Sequence, residues 1–458
     1  MKYSKKSVHS KTKKILWPEF EDQRLSSFSG IAIFQALFSR LNLKDRLDSC
    51  FKNILSSSIY GKNVIVLLLI IHFIIGFRRL RDLDYYKDDP MIKRALGLKR
   101  LPNVATVSRE LSACDEKNVE QLQALSQEIV LDRVHAEKLS RITLDFDGTV
   151  QSTTRRAEGT AVGYNKKKKG ARSYYPLLCT LAQTSQVLNF YHRPGNVHDS
   201  HGARDFMLAS IVSARLRLPK SVIELRADSA FFSEEIIESL NKSRAEFTIS
   251  VPFARFSELK SLIENRQRWN KLDDELSYFE MDWKPACWDN CYRFLFIRTK
   301  SKIQQKGPIQ LDLFEPYEYG YEFKVIATNK FAKIKNILNF HNGRGSQEGL
   351  IGELKTCAQC DLIPVRKKCG NQIFFTAGVL AHNLGRELQM NTLEKQRNTT
   401  TKRTALWKFR KLSTLGSKLI RCAGRLTRPQ GKLKLTINKN SVIMDEFSRF
   451  RRKLDKAA

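Results

Sequence analysis

The sequence predicts a mixed α/β protein of several domains, and three observations lead to that prediction. Between residues 141 and 253, segments follow in the order of three strands, a helix, a strand, a helix and a strand, which is typical of a mixed sheet with helices on its faces. A helical region precedes this segment, and an aromatic, strand-rich region follows it. The chain has 458 residues, 42% of them hydrophobic, which is enough for about two to four domains with sizeable cores.

Five regions are expected along the chain. They are a helical N-terminal domain (1–138), the first part of an α/β domain (139–254), a β-rich insertion (255–332), the second part of the α/β domain (333–395) and a basic C-terminal region (396–458). Alternation of polar and apolar residues indicates a strand in RITLDFDGTV, and SVIELRADS predicts a buried strand. The insertion is predicted from LSYFEMDW, YRFLFIRTK and YEFKVIATN, with KIQQKGPIQ as a loop between the last two.

The charge of the chain is strongly positive. Lysine and arginine number 80 against 47 acidic residues, which gives a net charge of +33. Residues 401–458 alone carry 17 basic and three acidic residues, and the first 14 residues carry six lysines and no acid. Such a field attracts polyanions, either nucleic acid or an anionic membrane surface. A face charged only for solubility normally mixes both signs, so the two basic ends are predicted to contact phosphate.

A membrane role is disfavoured by the longest apolar run. It extends over the 14 residues from Val64 to Phe77 and contains His72, whereas a spanning helix needs about 20 apolar residues. We therefore predict a buried core helix. The basic N-terminus lacks the apolar segment of a secretory signal, and the nine scattered cysteines suit a reducing compartment. These features favour a cytoplasmic protein whose partner is nucleic acid.

One short N-terminal helix has two interpretations. In LPNVATVSRELS, Asn103 or Thr106 is placed to cap a helix that begins after Pro102. With Ser108 and Arg109 near its start, this helix has the features of one that enters a DNA groove. The alternative is a connector packed inside a helical bundle.

Three carboxylates stand at positions that suit metal chemistry. Asp147 ends one predicted strand, Asp228 ends another, and Glu348 lies in a helical segment after the insertion. Carboxylates at strand ends can meet a helix-borne carboxylate at one edge of a sheet, and their oxygens suit Mg²⁺. Two such ions about 4 Å apart can clamp the attacking and leaving oxygens of a phosphodiester. Taken singly, Asp147 is better explained as a turn residue and Asp228 as a helix cap, and only their shared context favours the metal site.

The segment HNGRGSQEGLIGELK places basic groups around the third carboxylate. His341, Arg344, Glu348 and Lys355 fall within a roughly 60° arc of one helix face at 100° per residue. A carboxylate flanked by an imidazole, a guanidinium and an ammonium suits a phosphate-binding surface. The two glycines beside Arg344 are poor helix residues. The alternative is therefore a helix that starts near Ser346 and aligns only Glu348 with Lys355.

A family resemblance rests on these residues. The spacing His-x2-Arg-x3-Glu-x6-Lys resembles the Tyr-x2-Arg-x3-Glu-x6-Lys signature of bacterial insertion-sequence transposases of the DDE type. The segments LDFDGTV, LRADSAFF, HRPGN and LAHNLGREL resemble the insertion sequence thirteen-eighty group, which belongs among the insertion sequence four-like transposases. The resemblance extends from about Phe28 to the C-terminal region.

The resemblance implies an RNase-H-like catalytic domain with a β-strand insertion between the second aspartate and the glutamate. It implies two Mg²⁺ ions, replaceable by Mn²⁺, bound by the catalytic residues Asp147, Asp228 and Glu348. It makes Arg344 and Lys355 DNA-contacting residues, and His341, which stands where the family has tyrosine, a phosphate contact.

The first carboxylate has a competitor. Asp145 is a candidate because residues i and i+2 of a strand share a face. Asp147 is preferred because the family pattern has a threonine after one intervening residue, which here is Thr149.

The implied function is that of a DNA transposase. The N-terminal helices and the basic tail would bind the terminal inverted repeats of the element. The active site would cleave the ends by metal-dependent phosphodiester hydrolysis and join the 3′-hydroxyl to target DNA, with a dimer holding two ends. Two alternatives remain: a catalytically silent DNA-binding regulator derived from a transposase, and an RNase-H-like nuclease.

Three further groups of residues carry weaker signals. Cys357 with Cys360, and Cys287 with Cys291, have spacings found in zinc sites, but no histidine joins them regularly, so ordinary thiols are favoured. The basic loop Lys166–Lys169 with Arg172 is either a DNA backbone contact or solvated charge. The tryptophans of the insertion are placed either to hold an extruded base or, with more weight, to pack in a core; they are Trp269, Trp283 and Trp288.

Overall fold

The structure is a computed structural model. It describes residues 17–19, 21–52, 59–163, 165, 168–252, 255–300, 321–398 and 400–455. The basic N-terminal residues 1–14 and the predicted loop KIQQKGPIQ lie outside the described residues.

The N-terminal part is helical, as predicted. After the short strand β1 (Leu25–Ser26), its helices are α1 (Ile31–Arg40), α2 (Leu43–Phe51), α3 (Lys62–Ile74), α4 (Pro90–Leu96), α5 (Val104–Ser112) and α6 (Glu116–Ala136), with a 3-10 turn at Leu80–Tyr85. Asn103 caps α5 as predicted, because its Oδ1 accepts a hydrogen bond from the Thr106 backbone nitrogen at 2.8 Å. Val107 and Leu111 of α5 are buried in the helical core, while Arg109 on the same helix is exposed.

The apolar run predicted as a core helix is α3. Ile70 and Ile71 are fully buried, and the buried His72 ring lies 2.8 Å from the Tyr86 hydroxyl. Among the described helices, α3 included, we find none that combines a membrane-spanning length with sufficient apolar character.

The centre of the molecule is a nine-stranded mixed sheet. Its strands are β2 (Arg141–Gly148), β6 (Leu177–Leu181), β7 (Gln186–Tyr191), β8 (Val222–Ala227), β9 (Glu246–Ser250), β10 (Asn270–Lys271), β11 (Leu276–Trp283), β12 (Tyr292–Lys300) and β13 (Tyr321–Thr328). The order across the sheet is β10-β11-β12-β13-β9-β8-β2-β6-β7. Strands β2, β8 and β9 are parallel to one another, and the remaining pairs are antiparallel. Strands β3 (Gln151–Thr153), β4 (Ala161–Val162) and β5 (Arg172–Tyr174) form a small separate sheet.

The β-rich insertion continues this central sheet. Its last strand, β13, pairs with β9 in antiparallel register, with Ala327 opposite Ile249. The three segments predicted as insertion strands are β11, β12 and β13. The insertion therefore lengthens the sheet on the side of β9, and none of its strands pairs with β2 or β8.

Helices cover both faces of the sheet. Beyond the N-terminal region the helices are α7 (Ala203–Arg217), α8 (Glu234–Lys242), α9 (Ser257–Glu264), α10 (Ile334–Asn342), α11 (Ser346–Cys357), α12 (Lys368–Thr392), α13 (Leu412–Leu415) and α14 (Ser441–Asp455). Of these, α13 and α14 pack in the helical core and not on the sheet. On one face α7 and α8 pack on apolar side chains that include Leu144. On the other face Leu354 of α11 and Phe375 of α12 pack on Leu178 of β6. A mixed α/β architecture is thereby confirmed.

The described part of the C-terminal region, predicted as a basic tail, is folded onto the helical core. Strands β14 (Gly424–Thr427) and β15 (Lys434–Ile437) form a sheet with β1, in which Ser26 lies opposite Gly424. Leu419 and Ile420 are fully buried in the helical core. These apolar residues are spaced among lysines and arginines, so the net positive charge of the region does not indicate that it is folded.

Candidate active site at the sheet edge

Two of the predicted carboxylates lie at one edge of the central sheet. Because β2 and β8 are parallel neighbours, their carboxyl ends point to the same edge. Asp147 is the penultimate residue of β2, and Asp228 follows the last residue of β8. Asp228 also caps a 3-10 turn, because its Oδ1 accepts a hydrogen bond from the Ala230 nitrogen at 3.0 Å. The Oδ1 atom of Asp228 is thus used by the cap, whereas its Oδ2 atom is the one nearest to Arg344.

The Arg344 guanidinium lies between the two aspartates. Its Nη1 atom is 3.8 Å from Asp147 Oδ2 and 3.9 Å from Asp228 Oδ2. The three side chains are between 23% and 31% exposed, so the group is partly shielded but open to a ligand. The structure thus brings Asp147, Asp228 and Arg344 into one constellation around a positive charge.

A glycine beside Arg344 allows this approach. Arg344 belongs to the 3-10 turn Gly343–Gly345 between α10 and α11. A Cβ atom at Gly343 would lie 2.0 Å from the Lys402 carbonyl oxygen and 2.2 Å from Arg226 Nη1. No other residue fits there without displacing the turn, so Gly343 lets the turn lie close against the sheet.

Glu348 and Lys355 lie on α11, which begins at the same place. Arg344 lies in the 3-10 turn that leads directly into α11, and Glu348 is the third residue of α11. Glu348 is exposed and Lys355 partly exposed. The start of α11 is held to β2, since Gln347 Nε2 donates a hydrogen bond to the Asp145 carbonyl at 2.9 Å. The α-helix thus starts at Ser346, as the alternative predicted, and Glu348 follows Arg344 by about one helical turn.

His341 does not share this surface. It is 3% exposed, its Nδ1 lies 3.0 Å from Thr248 Oγ1, and its Nε2 lies 2.9 Å from Ser250 Oγ. Burial, with Lys324 and Arg344 nearby, lowers the pKa of His341 to about 3. The prediction of one exposed face containing all four residues is wrong for His341, because the end of α10 packs this side chain onto β9.

The competing carboxylate Asp145 is occupied by a structural ion pair. Its Oδ1 and Oδ2 accept hydrogen bonds from Arg226 Nε and Nη2 at 2.5 and 2.7 Å, and both side chains are at most 2% exposed. Arg226 also donates to the carbonyl oxygens of Phe340 and Lys402. Asp145 is therefore committed to joining β2, β8 and the α10–α11 junction, and only Asp147 is available at the edge.

Burial is the largest cause of raised pKa values in the two edge aspartates. Burial, followed by the charge of Asp228, raises the pKa of Asp147 to about 6, although Arg344 opposes the shift. Burial also raises the pKa of Asp228, which Arg344 again opposes. Ionisation of these two carboxyl groups is unfavourable because it places negative charge in a partly buried site. A bound cation would offset that negative charge.

These shifts predict how an Asp147→Asn substitution changes stability with pH. A carboxyl whose folded-state pKa exceeds its unfolded value of about 3.9 stabilises the fold below that value and loses this contribution as pH rises through about 6. The variant has no carboxyl group at position 147 and therefore does not lose this stability as pH rises. We expect its melting temperature, minus that of the unmodified protein, to increase between pH 4 and pH 7 in thermal unfolding without added metal. A difference that stays constant or falls over this range would contradict the shift.

Sequence reasoning missed one basic residue near the site. Lys324 of β13 donates a hydrogen bond from Nζ to Asn342 Oδ1 at 3.1 Å, and burial and the Arg344 charge lower the pKa of Lys324. In the sequence it is one polar residue of an alternating strand, YEFKVIAT. Only the pairing of β13 with β9 brings it near the edge.

The tryptophans, the cysteine pairs and the basic loop singled out in the sequence lie in different surroundings. Trp288 is buried and stacks on Phe232 with ring centroids 4.7 Å apart, while Trp269 and Trp283 are partly buried against the same core. Cys357 and Cys360 are buried, and Cys287 and Cys291 are exposed. In the basic loop, Lys166 and Lys167 lie outside the described residues, Lys168 and Lys169 are exposed, and Arg172 is bound to Thr160.

A basic groove lies between the N-terminal helices and the C-terminal hairpin. It is an open cavity of about 1120 Å³ between α1, α4 and β14. Its five basic lining residues, here called the groove cations, are Arg24, Lys93, Arg94, Lys99 and Arg428, and its lining residues include no carboxylate. Lys93 is paired with Asp88 at 3.6 Å. The groove brings together cations from three distant parts of the chain.

A family model described as transposase DDE domain group 1 matches residues 8–458. No curated protein matches the chain.

Solved structures with some similarity include a piggyBac transposase synaptic complex with hairpin DNA, at 10% identity and a TM-score of 0.38 over 92% of this chain and 85% of that one. They also include a Drosophila P element transposase strand transfer complex, at 12% identity and a TM-score of 0.24 over 51% and 50% of the two chains. A Mos1 transposase paired-end complex with the left transposon end has 15% identity and a TM-score of 0.17 over 36% and 55%. The family model covers nearly the whole chain, and on that match this protein belongs to the DDE transposase family.

Proposed function

We propose that this protein is a DNA transposase that binds the terminal inverted repeats of its own element, cleaves a phosphodiester at each end and joins the freed 3′-hydroxyl to target DNA. The observation that carries the proposal is the convergence of Asp147 and Asp228 at one sheet edge around Arg344, with Glu348 one helical turn further on. Membership of the DDE transposase family supports the assignment. Because two ends must be held together, the active form is a dimer on DNA.

The donor set of the site fits divalent cations. Mg²⁺ prefers carboxylate oxygens, and the two edge aspartates already face one shared positive charge, that of Arg344. Within the described ranges no three His, Cys, Asp or Glu side chains are close enough to form a ready-made metal cage. Asp147, Asp228 and Glu348 would hold two Mg²⁺ ions, or Mn²⁺ in their place. When bound, the ions would neutralise charge on the attacking and leaving oxygens of the phosphodiester.

The basic residues then act on the DNA backbone. Arg344 and Lys355 bind phosphates next to the cleaved bond, since a guanidinium and an ammonium both pair well with phosphate oxygens. A phosphate draws the Arg344 guanidinium away from the two aspartates and leaves their oxygens for the cations. His341 supports the turn that carries Arg344 through its hydrogen bonds to Thr248 and Ser250.

The basic groove is the proposed surface for the inverted repeat. Its five basic residues come from three distant parts of the chain, and the chain carries a net charge of +33. Both features suit a duplex backbone bound mainly by counterion release. This surface combines the N-terminal helices and the C-terminal region in one site.

Reversing two groove charges is expected to weaken DNA binding without stopping catalysis at saturation. In an Arg94→Glu, Lys99→Glu variant, the slope of log affinity against log salt should fall by about 0.9 for each lost phosphate contact. Fluorescence anisotropy with a labelled repeat duplex measures both affinity and slope. The matched control is Arg215→Glu, Lys220→Glu, which changes the net charge equally outside the groove. An equal loss of affinity in both variants would mean that the net charge of the protein, and not the groove, determines DNA binding.

The function itself is tested by an excision assay. The purified protein is mixed with a labelled duplex that carries the terminal repeat of its element and with plasmid target DNA, in Mg²⁺ or in EDTA. We expect Mg²⁺-dependent cleavage at the repeat boundary and a joined product. Tight binding without cleavage would instead identify a DNA-binding regulator, and cleavage of duplexes without any joined product would identify a nuclease.

A further inference from the structure

The small sheet continues one edge of the central sheet beyond the carboxylates. Strand β2 ends with Gly148 opposite Leu177 of β6. Strand β3 begins with Gln151 opposite Tyr174 of β5 and so keeps the same antiparallel register. Between the two ladders, the Thr149 nitrogen donates a backbone hydrogen bond to the opposite strand at 3.0 Å. Strands β3, β4 and β5 with their connections, here called the ribbon, therefore extend the β2–β6 pair past the active-site edge.

Contacts with the rest of the protein fix the position of the ribbon. Gln151 Nε2 donates a hydrogen bond to the Cys360 carbonyl oxygen, just beyond α11, at 2.7 Å. On β5, the Ser173 carbonyl oxygen accepts a hydrogen bond from the Gly195 nitrogen at 2.9 Å. A Cβ atom at Gly163 would lie 2.3 Å from the Gly195 carbonyl oxygen, so glycine there permits this close approach. The ribbon is thus ordered before a partner binds, which lowers the entropic cost of binding.

Four exposed cations lie at the end of the ribbon that is farther from the carboxylates. Two of them follow β3 and two precede β5, and Thr153 at the end of β3 lies opposite the first residue of β5. Both pairs therefore leave the strands at the same end. Glu158, the single acid between residues 151 and 174, is paired with Lys367 at 3.9 Å. The four residues, here called the ribbon cations, are Arg155, Arg156, Lys168 and Lys169.

The length of the ribbon suits a DNA duplex that passes through the active site. Thr153 is six residues beyond Asp147, and at about 3.3 Å per residue the strand covers about 20 Å. The same length of duplex contains about six base pairs at roughly 3.4 Å each. A duplex with one phosphodiester at Asp147 and Asp228 can therefore place further backbone phosphates beside the ribbon cations.

We propose that the ribbon cations bind the backbone of target DNA, the second duplex that the active site engages during joining. The inference rests on the proposed function and assigns a surface to one partner of that same site. In the joining step, the oxygen of the freed 3′-hydroxyl forms a bond to a target phosphorus. The bond from that phosphorus to the target 3′-oxygen breaks, the attacking hydroxyl gives up its proton, and the departing oxygen gains one.

Two observations favour target DNA over the terminal repeat. The repeat has its own proposed surface in the basic groove, whose lining in the described chain includes no residue of the ribbon. The ribbon cations are charged groups that follow or precede strands, and contacts of such groups with phosphates position a duplex without reading its sequence. Target DNA is the duplex that the element does not encode, so a backbone contact suits it.

The test compares two DNA partners in a Lys168→Glu, Lys169→Glu variant of the full-length protein. Each protein is first saturated with an unlabelled, pre-cleaved repeat duplex, and a labelled duplex of arbitrary sequence is then titrated by fluorescence anisotropy. At about 0.15 M salt we expect affinity for the arbitrary duplex to fall about tenfold or more, with a slope against log salt lower by about 0.9 for each lost contact. Joined product should fall with it, while binding and cleavage of the repeat stay unchanged.

The control is Arg215→Glu, Lys220→Glu, which changes the net charge equally outside the ribbon. It should bind the arbitrary duplex as the unmodified protein does, and an equal loss in both variants would overturn the inference. Unchanged affinity in the ribbon variant would overturn it too. So would an equal loss of affinity for the repeat, since the ribbon would then bind the element end.

A second ribbon variant guards against a folding defect. Arg155→Gln, Arg156→Gln removes the other two charges, and it should reproduce the selective loss of target binding at an unchanged melting temperature. Selective loss in neither of the folded variants would overturn the inference. Failure of the proposed function has a different signature, because the unmodified protein would then give neither cleaved nor joined product, whatever the ribbon binds.

Discussion

Asp147→Asn, Asp228→Asn and Glu348→Gln are each expected to reduce cleavage of the terminal repeat to background. Each substitution removes one negative charge from a group whose proposed task is to hold the cations that neutralise the transition state. Loss of a single group that stabilises developing charge commonly lowers the rate on the order of 10²–10³-fold, and loss of a cation ligand should exceed that. Strand cleavage in Mg²⁺, measured with a labelled duplex under single-turnover conditions, gives the rates.

This result identifies a catalytic role only if the variants still bind the repeat duplex. The three variants should bind the repeat duplex with nearly unchanged affinity, because the groove cations lie elsewhere in the chain. A suitable control is Glu238→Gln, which removes an exposed carboxylate paired with Lys242 on α8 and should cleave normally. Cleavage that persists in any of the three site variants would remove that residue from the proposed site.

Asp145→Asn is expected to destabilise the protein severely, although Asp145 is only two residues from Asp147. The substitution leaves Arg226 buried, fully shielded from solvent and without its anionic partner. Breaking a buried pair by removing one member typically costs about 3–5 kcal/mol. We expect a clear drop in melting temperature by circular dichroism, together with poor soluble expression, whereas Asp147→Asn should melt no lower than the unmodified protein at pH 7.

A double variant tests whether the unpaired charge of Arg226 causes the loss of stability in Asp145→Asn. Replacing Asp145 and Arg226 together by Leu and Met removes both charges and keeps much of the volume. Such replacements of buried pairs are often neutral or stabilising, so the double variant should recover most of the stability lost in Asp145→Asn. No recovery would mean that Arg226 stabilises the fold mainly through its hydrogen bonds to the carbonyl oxygens of Phe340 and Lys402.

Much of the fold could be predicted because its elements are locally encoded. The period-two alternation of RITLDFDGTV is that of a strand, and β2 covers its first eight residues. The segments LSYFEMDW and YRFLFIRTK coincide with β11 and β12, because aromatic and β-branched residues alternate with polar ones in both. Capping by Asn103 was likewise predictable from local sequence.

What the sequence left open depends on contacts between distant residues. Periodicity places Asp145 and Asp147 on one strand face, and only the partner Arg226, 81 residues away, commits Asp145 to an ion pair. The burial of His341 depends on Thr248 and Ser250 of β9. The C-terminal hairpin was hidden because its charge resembles that of a disordered arm, while its pairing partner, β1, lies at the other end of the chain.

The joining of the two chain ends has a consequence for synthesis. Ser29 and Gly30 donate backbone hydrogen bonds to the carbonyl oxygens of Cys422 and Ile420, and the helical core is completed by apolar residues from the last fifty positions, among them Phe450. While the nascent chain is still on the ribosome, its N-terminal helices therefore lack part of the surface that buries them. A chain released early would expose this surface and become a substrate for proteases and chaperones. Cellular quality control would in this way favour molecules that contain Phe450 and its neighbours over copies truncated before them.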